Sequence, residues 1–209
     1  MKNGVQLLLV GLFLVAGTAV AKTKPPIKTV QFEPLEFNAL TGLRVTPVPS
    51  DESQQYSYEY RWFLNDMELV IDPGPECPGN QLHRGDQLSV EVTPIDAQGE
   101  RLKPYVSLPV EVKNAPPVIH SQPPAQLNGD HFVYRVAASD PDGDLLHFLL
   151  EKGPDGMVID ANSGELRWSY ADQPAADYPV LVVVEDEFGG RAEQDFDLNL
   201  SFRKGDKGQ

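Results

Sequence analysis

The stretch YRVAASDPDGDLLHFLL, residues 134–150, reads as a strand, a tight acidic turn and a second strand. Phe132, Tyr134 and Val136 fall on one face at the two-residue spacing of a half-buried strand. Asp140-Pro141-Asp142-Gly143-Asp144 then concentrates the residues that build turns, and Leu146 to Leu150 resumes the strand. Outward from this stretch the same alternation of short apolar runs and turn residues continues in both directions. Towards the C-terminus, Met157 to Ile159 and Leu166 to Trp168 flank the turn Asp160 to Gly164. Tyr178 to Val184 is almost wholly apolar, which suits the centre of a sandwich. Asp186 to Gly190 turns the chain, and Ala192 to Leu200 alternates through Phe196 and Leu198.

Towards the N-terminus, Ile27 to Phe32 and Gly42 to Pro47 are expected strands, and Tyr56 to Leu64 carries Tyr58, Tyr60 and Trp62 on one face. Asn65-Asp66 predicts a hairpin turn, with Glu68 to Ile71 returning. Arg84-Gly85-Asp86 reads as a turn, followed by Leu88, Val90 and Val92 in alternation, and Val106 to Val112 closes this half. Nineteen prolines spread through the chain argue against long helices. Asn114-Ala115-Pro116-Pro117 stands between the halves; its two prolines lack backbone donors and make a semi-rigid joint. The expectation is an all-β chain of two immunoglobulin-like β-sandwich domains in tandem, residues 26–113 and 118–202, joined at 114–117 and ending in a polar tail, 203–209.

Ahead of them, Lys2, the apolar run Val5 to Ala16 and Ala19-Val20-Ala21 have the order of a secretory signal peptide, residues 1–21. The apolar run is shorter than the roughly 20 residues a spanning helix needs. This reading places the mature chain in the periplasm or outside the cell, with no stable membrane insertion. A formal charge of −14 repels phosphate backbones, so nucleic acid is excluded as a partner class. The single cysteine, Cys77, lies in a Pro-rich stretch and reads as an inert loop thiol or as one half of an intermolecular disulfide.

The second half resembles the bacterial cadherin-like module related to the dystroglycan-type cadherin repeat. The resemblance is carried by YRVAASDPDGDLLHFLL, by VIDANSGELRW (158–168) and by YPVLVVVEDEFGG (178–190). The first half is similar to bacterial Ig-like or PKD-like domains through YEYRWFLNDMEL (58–69) and RGDQLSVEVTPIDAQG (84–99). The cadherin-like resemblance implies calcium held by Asp140, Asp142 and Asp186, with Asn114 contributing from the linker. The linker lacks the family's acidic motif and the first half lacks its Asp-Arg-Glu element, so one weak site is implied. Such extracellular modules bind calcium at on the order of 10⁻⁴–10⁻³ M. Without an ion, Asp140, Asp142 and Asp144 would cap a solvated turn.

His83, His120, His131 and His147 are scattered, without zinc-ligand spacing. The sequence contains no Gly-x-Ser-x-Gly, His-Glu-x-x-His or phosphate-binding loop. Glu185 and Asp186 are adjacent in a strand and point to opposite faces, which unsuits them as a glycosidase pair. The expected function is therefore non-catalytic: a structural, adhesion or protein-binding component meeting a protein or cell-surface partner. The alternative is a carbohydrate-binding accessory protein. It would use Trp168 and Tyr170, or Tyr60 and Trp62, as sheet-face aromatics for a glycan.

Overall fold

The computed structural model describes residues 24–124, 127 and 129–200. The signal peptide and the polar tail expected from the sequence lie outside the described residues. The first half holds β1 (Ile27–Glu33), β2 (Leu43–Pro49), β3 (Ser57–Leu64), β4 (Met67–Glu68), β5 (Glu76–Cys77), β6 (Gln87–Ile95), β7 (Tyr105–Val106) and β8 (Val110–Glu111). The second holds β9 (Val118–Ile119), β10 (His131–Arg135), β11 (Ala138–Ser139), β12 (Leu146–Lys152), β13 (Val158–Ile159), β14 (Glu165–Ser169), β15 (Ala176–Asp186) and β16 (Arg191–Leu200). The protein is all-β, built as two immunoglobulin-like sandwiches in tandem.

In the first sandwich, the sheet β1-β2-β5 faces β4-β3-β6-β7, with β8 also paired to β6. The pattern along β6 explains the layering. Leu88, Val90 and Val92 point one way and are fully buried, while their neighbours stay at least partly exposed. Trp62 on β3 enters the same core, with Ile27, Phe37, Leu43 and Val45 opposite. Its indole Nε1–H donates to the Gly74 carbonyl at 3.0 Å, so the buried ring leaves no unmet donor. Asn65 and Asp66 both take positive φ, 50° and 65°, as a two-residue hairpin turn between β3 and β4 demands.

In the second sandwich, β12-β15-β16 packs against β10-β14-β13, with β9 and β11 paired beside them. β15 lies between two partners, and Val180, Val182, Val183 and Val184 are fully buried there. Phe132, Tyr134, Val136, Phe148, Leu166, Trp168 and Leu198 complete this core.

Three expected strands differ in extent. The return strand after the Asn65-Asp66 turn shrinks to Met67–Glu68, because the chain then swings below Trp62 to offer the Gly74 carbonyl. The closing run Val106 to Val112 splits into β7 and β8 around Ser107–Pro109. Ser107 Oγ accepts the Val90 N–H at 3.0 Å, doing the work of a ladder carbonyl, and Pro109 has no N–H to give. The run Phe132 to Ala138 divides between two sheets: β10 pairs with β14, then β11 pairs with β9.

Candidate functional site at the joint

Three turns meet the linker Asn114–Pro117, and each is shaped by its own side chains. The first is His83–Asp86, at the end of the first sandwich. Gly85 has φ 87°, and the Asp86 carboxylate accepts the His83 N–H at 2.9 Å and an Asn65 side-chain N–H at 2.8 Å. Gly85 N–H to the Val112 carbonyl (2.9 Å) and Val112 N–H to the Asp86 carbonyl (2.9 Å) tie this turn to the strand that leads into the linker. Arg84 is thereby aimed at the second sandwich.

The second turn is the acidic loop. Asp140 Oδ1 accepts the N–H groups of Asp142 (2.8 Å) and Asp144 (3.2 Å), an Asx arrangement that folds the loop back on itself. Carboxylate oxygens of Asp140, Asp142 and Asp144 come within 4.8 Å of one another. The third turn follows β15. Asp186 Oδ1 accepts from the N–H groups of Phe188 (2.7 Å) and Gly190 (2.8 Å). A Cβ on Gly190 would stand 2.1 Å from Asp186 Oδ2 and 2.9 Å from Asn114 Nδ2, so only glycine admits the linker this closely.

The turns interlock through the linker. Asn114 Nδ2 donates to Asp186 Oδ2 at 2.8 Å, and Ala115 N–H donates to Asp142 Oδ2 at 2.8 Å. From the first sandwich, Arg84 N–H donates to Asp142 Oδ1 at 2.7 Å. The Arg84 guanidinium grips both oxygens of Asp144 and also donates to Asn114 Oδ1 at 2.9 Å. Its far face lies over the Phe188 ring, with the guanidinium carbon 3.2 Å from the ring centroid. Asn38 Nδ2 donates to the Asn114 carbonyl at 3.1 Å, and Ala115 is fully buried. Asp144, whose side chain is 9% exposed, raises the Arg84 pKa above its ordinary value by direct hydrogen bonding. Burial opposes this, and the charges of Asp144, Asp142 and Asp140 add to it.

The structure thus brings Asp140, Asp142, Asp186 and Asn114 to one end of the second sandwich. Asp186 joins the group through Asn114 rather than within the Asp140–Asp142–Asp144 cluster. Sequence reasoning missed Arg84, treated as part of a turn, and saw Asp144 only as a turn cap. The acidic loop has no residue of its own to mark Arg84, which lies 60 positions earlier in the other sandwich.

Calcium takes six to eight oxygens. Asp140 Oδ2 is buried without a hydrogen-bond partner and suits such an ion. Every other carboxylate oxygen of Asp140, Asp142, Asp144 and Asp186 already accepts at least one N–H, and Asn114 Oδ1 accepts from Arg84. In this arrangement the guanidinium, rather than an ion, takes both Asp144 oxygens and Asn114 Oδ1.

The aromatics considered for sugar stacking sit elsewhere. Trp62, Trp168 and Tyr170 are 1%, 2% and 3% exposed and belong to the two cores, so they form no sheet-face platform. Tyr60 is half-buried against the first core. Cys77 is also a core residue, in β5 rather than in a loop, and burial pushes its thiol up to about 11.

No protein-family model matches the chain, and no curated protein does. Among solved structures, it is similar to protocadherin gamma B2 extracellular cadherin domains 3–6, at 16% identity and TM-score 0.36 over 84% of this chain and 52% of that one. The chain therefore spans about half the length of that structure. The human desmocollin-1 ectodomain matches at 16% identity and TM-score 0.34, over 76% of this chain and 36% of the other. Fibronectin(III)-like modules of Clostridium thermocellum CbhA match at 15% identity and TM-score 0.31, over 83% and 94% respectively.

Proposed function

We propose that the chain is an exported, non-catalytic brace. Its two modules, residues 26–113 and 118–202, are set in one orientation at 114–117, so that the surfaces they carry meet a protein or cell-surface partner at a fixed spacing. One observation carries this reading: the polar interlock in which Arg84 from one sandwich, Asn114 and Ala115 from the linker, and Asp142, Asp144 and Asp186 from the other bind one another. A chain that only tethered two modules would have no use for a partly buried network of paired charges between them. Export to the periplasm or beyond rests on the signal-peptide pattern of residues 1–21. Among the described residues, no helix is long and apolar enough to cross a membrane.

Of the contact residues proposed for the glycan alternative, Trp62, Trp168 and Tyr170 are taken up by the cores, which leaves only the half-buried Tyr60. Calcium enters this reading only if Arg84 gives way, leaving the carboxylates and Asp140 Oδ2 to an ion.

Small-angle X-ray scattering from the mature protein tests the brace. A single narrow distribution of interatomic distances matching this tandem, unchanged by dilution, is the expected result. A broad distribution that requires an ensemble of module orientations would overturn it.

A further inference from the structure

We infer that Arg84 is the resident cation of the joint and that the modules are coupled without metal. The inference rests on the brace reading and specifies its chemistry. Asp140, Asp142 and Asp144 lie close enough to repel one another, and something positive must offset that repulsion if the loop is to stay closed. The first sandwich supplies it from the turn that Asp86 and Gly85 hold in place.

The socket matches a guanidinium in particular. Both terminal nitrogens meet the two oxygens of Asp144, the fork geometry that arginine alone presents. One of those nitrogens also reaches Asn114 Oδ1, while the flat face covers Phe188. The same residue's backbone N–H occupies Asp142 Oδ1. Arg84 therefore offsets part of the acidic loop's negative charge and contacts the linker in one step, and it occupies the Asn114 oxygen that a linker-bound ion would need. Lysine, a point charge with no planar fork, would restore the charge but not the paired hydrogen bonds.

The experiment is thermal unfolding of the mature protein in chelator and in ten-millimolar calcium, for wild type, Arg84→Lys and Arg84→Ala, with scattering recorded on the same samples. Wild type should unfold at the same temperature in both buffers. In chelator, Arg84→Ala should unfold about 3–8 °C lower and scatter as a flexible pair, with Arg84→Lys between the two. Calcium-dependent stabilisation or stiffening of wild type would overturn the inference while leaving the brace intact. So would an Arg84→Ala protein as stable and as stiff as wild type in chelator. Wild type that scatters as a flexible pair in both buffers would instead sink the brace reading itself.

Discussion

At Asp186 two tendencies oppose each other. Burial pushes the carboxyl's pKa up, while hydrogen bonds from the Asn114 side chain and from the N–H groups of Gly190, Phe188 and Gly189 pull it down and prevail. The folded value lies below the ordinary carboxylate value of about 3.9, so the fold favours the ionised form. This contribution to stability is fully present above pH ~4 and is lost as pH falls through the lowered folded value. Asp186→Asn should therefore cost about 1.5–3 kcal/mol at pH 7, as loss of a charged hydrogen-bond acceptor does. Urea unfolding should show that gap closing as the pH drops below ~4; a gap that stays constant with pH would contradict the account. The grouping of Asp140, Asp142 and Asp186 with Asn114 came from the cadherin-like resemblance, which named them as calcium ligands; the structure places Asp142, Asp186 and Asn114 in hydrogen bonds at the joint. Arg84 was not legible. A side chain that acts across a domain boundary leaves no local spacing, and its Gly-Asp neighbours account fully for a turn on their own.

Among the elements, β14 best separates what periodicity tells from what it leaves open. Two-residue spacing puts Trp168 and Tyr170 on one face but does not say whether that face meets water or the core. The structure turns it inward. Trp168 Nε1–H donates to the Asp155 carbonyl at 3.2 Å, and its ring lies 5.4 Å from Tyr170 and 4.9 Å from Tyr178, centroid to centroid. Trp168→Ala should accordingly destabilise the second sandwich by about 3–5 kcal/mol in chemical denaturation, the range for emptying an aromatic core site. A variant with wild-type stability that had lost retention on a glycan array would reverse that assignment. Strands whose partners lie on both sides, such as β6 and β15, were located by their apolar runs, but Leu88 to Val92 and Tyr178 to Val184 cover only the centres of Gln87–Ile95 and Ala176–Asp186, because the more polar ends of a paired strand carry no apolar pattern. The short closing strands β7 and β8 were read as one, because a serine side chain standing in for a backbone acceptor has no signature in hydrophobic pattern.

For the molecule as a whole, the formal charge of −14 sets the context in which one arginine matters. Two acidic sandwiches brought end to end would repel, and three aspartates gathered at the contact would add to it. A single guanidinium from one module, seated on the carboxylates of the other, converts that liability into the contact itself. The prolines of the linker limit the directions the chain can take, and in the proposed brace the arginine, the asparagine and Gly190 select one of them. Backbone ¹⁵N relaxation of the mature protein in chelator measures this most directly, because amides in each module report its tumbling separately. Residues 26–113 and 118–200 of wild type should share one rotational correlation time, that of the whole tandem, and in Arg84→Ala both should shorten towards those of single modules. Shorter, independent correlation times in wild type, or a shared one that survives Arg84→Ala unchanged, would contradict the claim that this joint is closed by arginine.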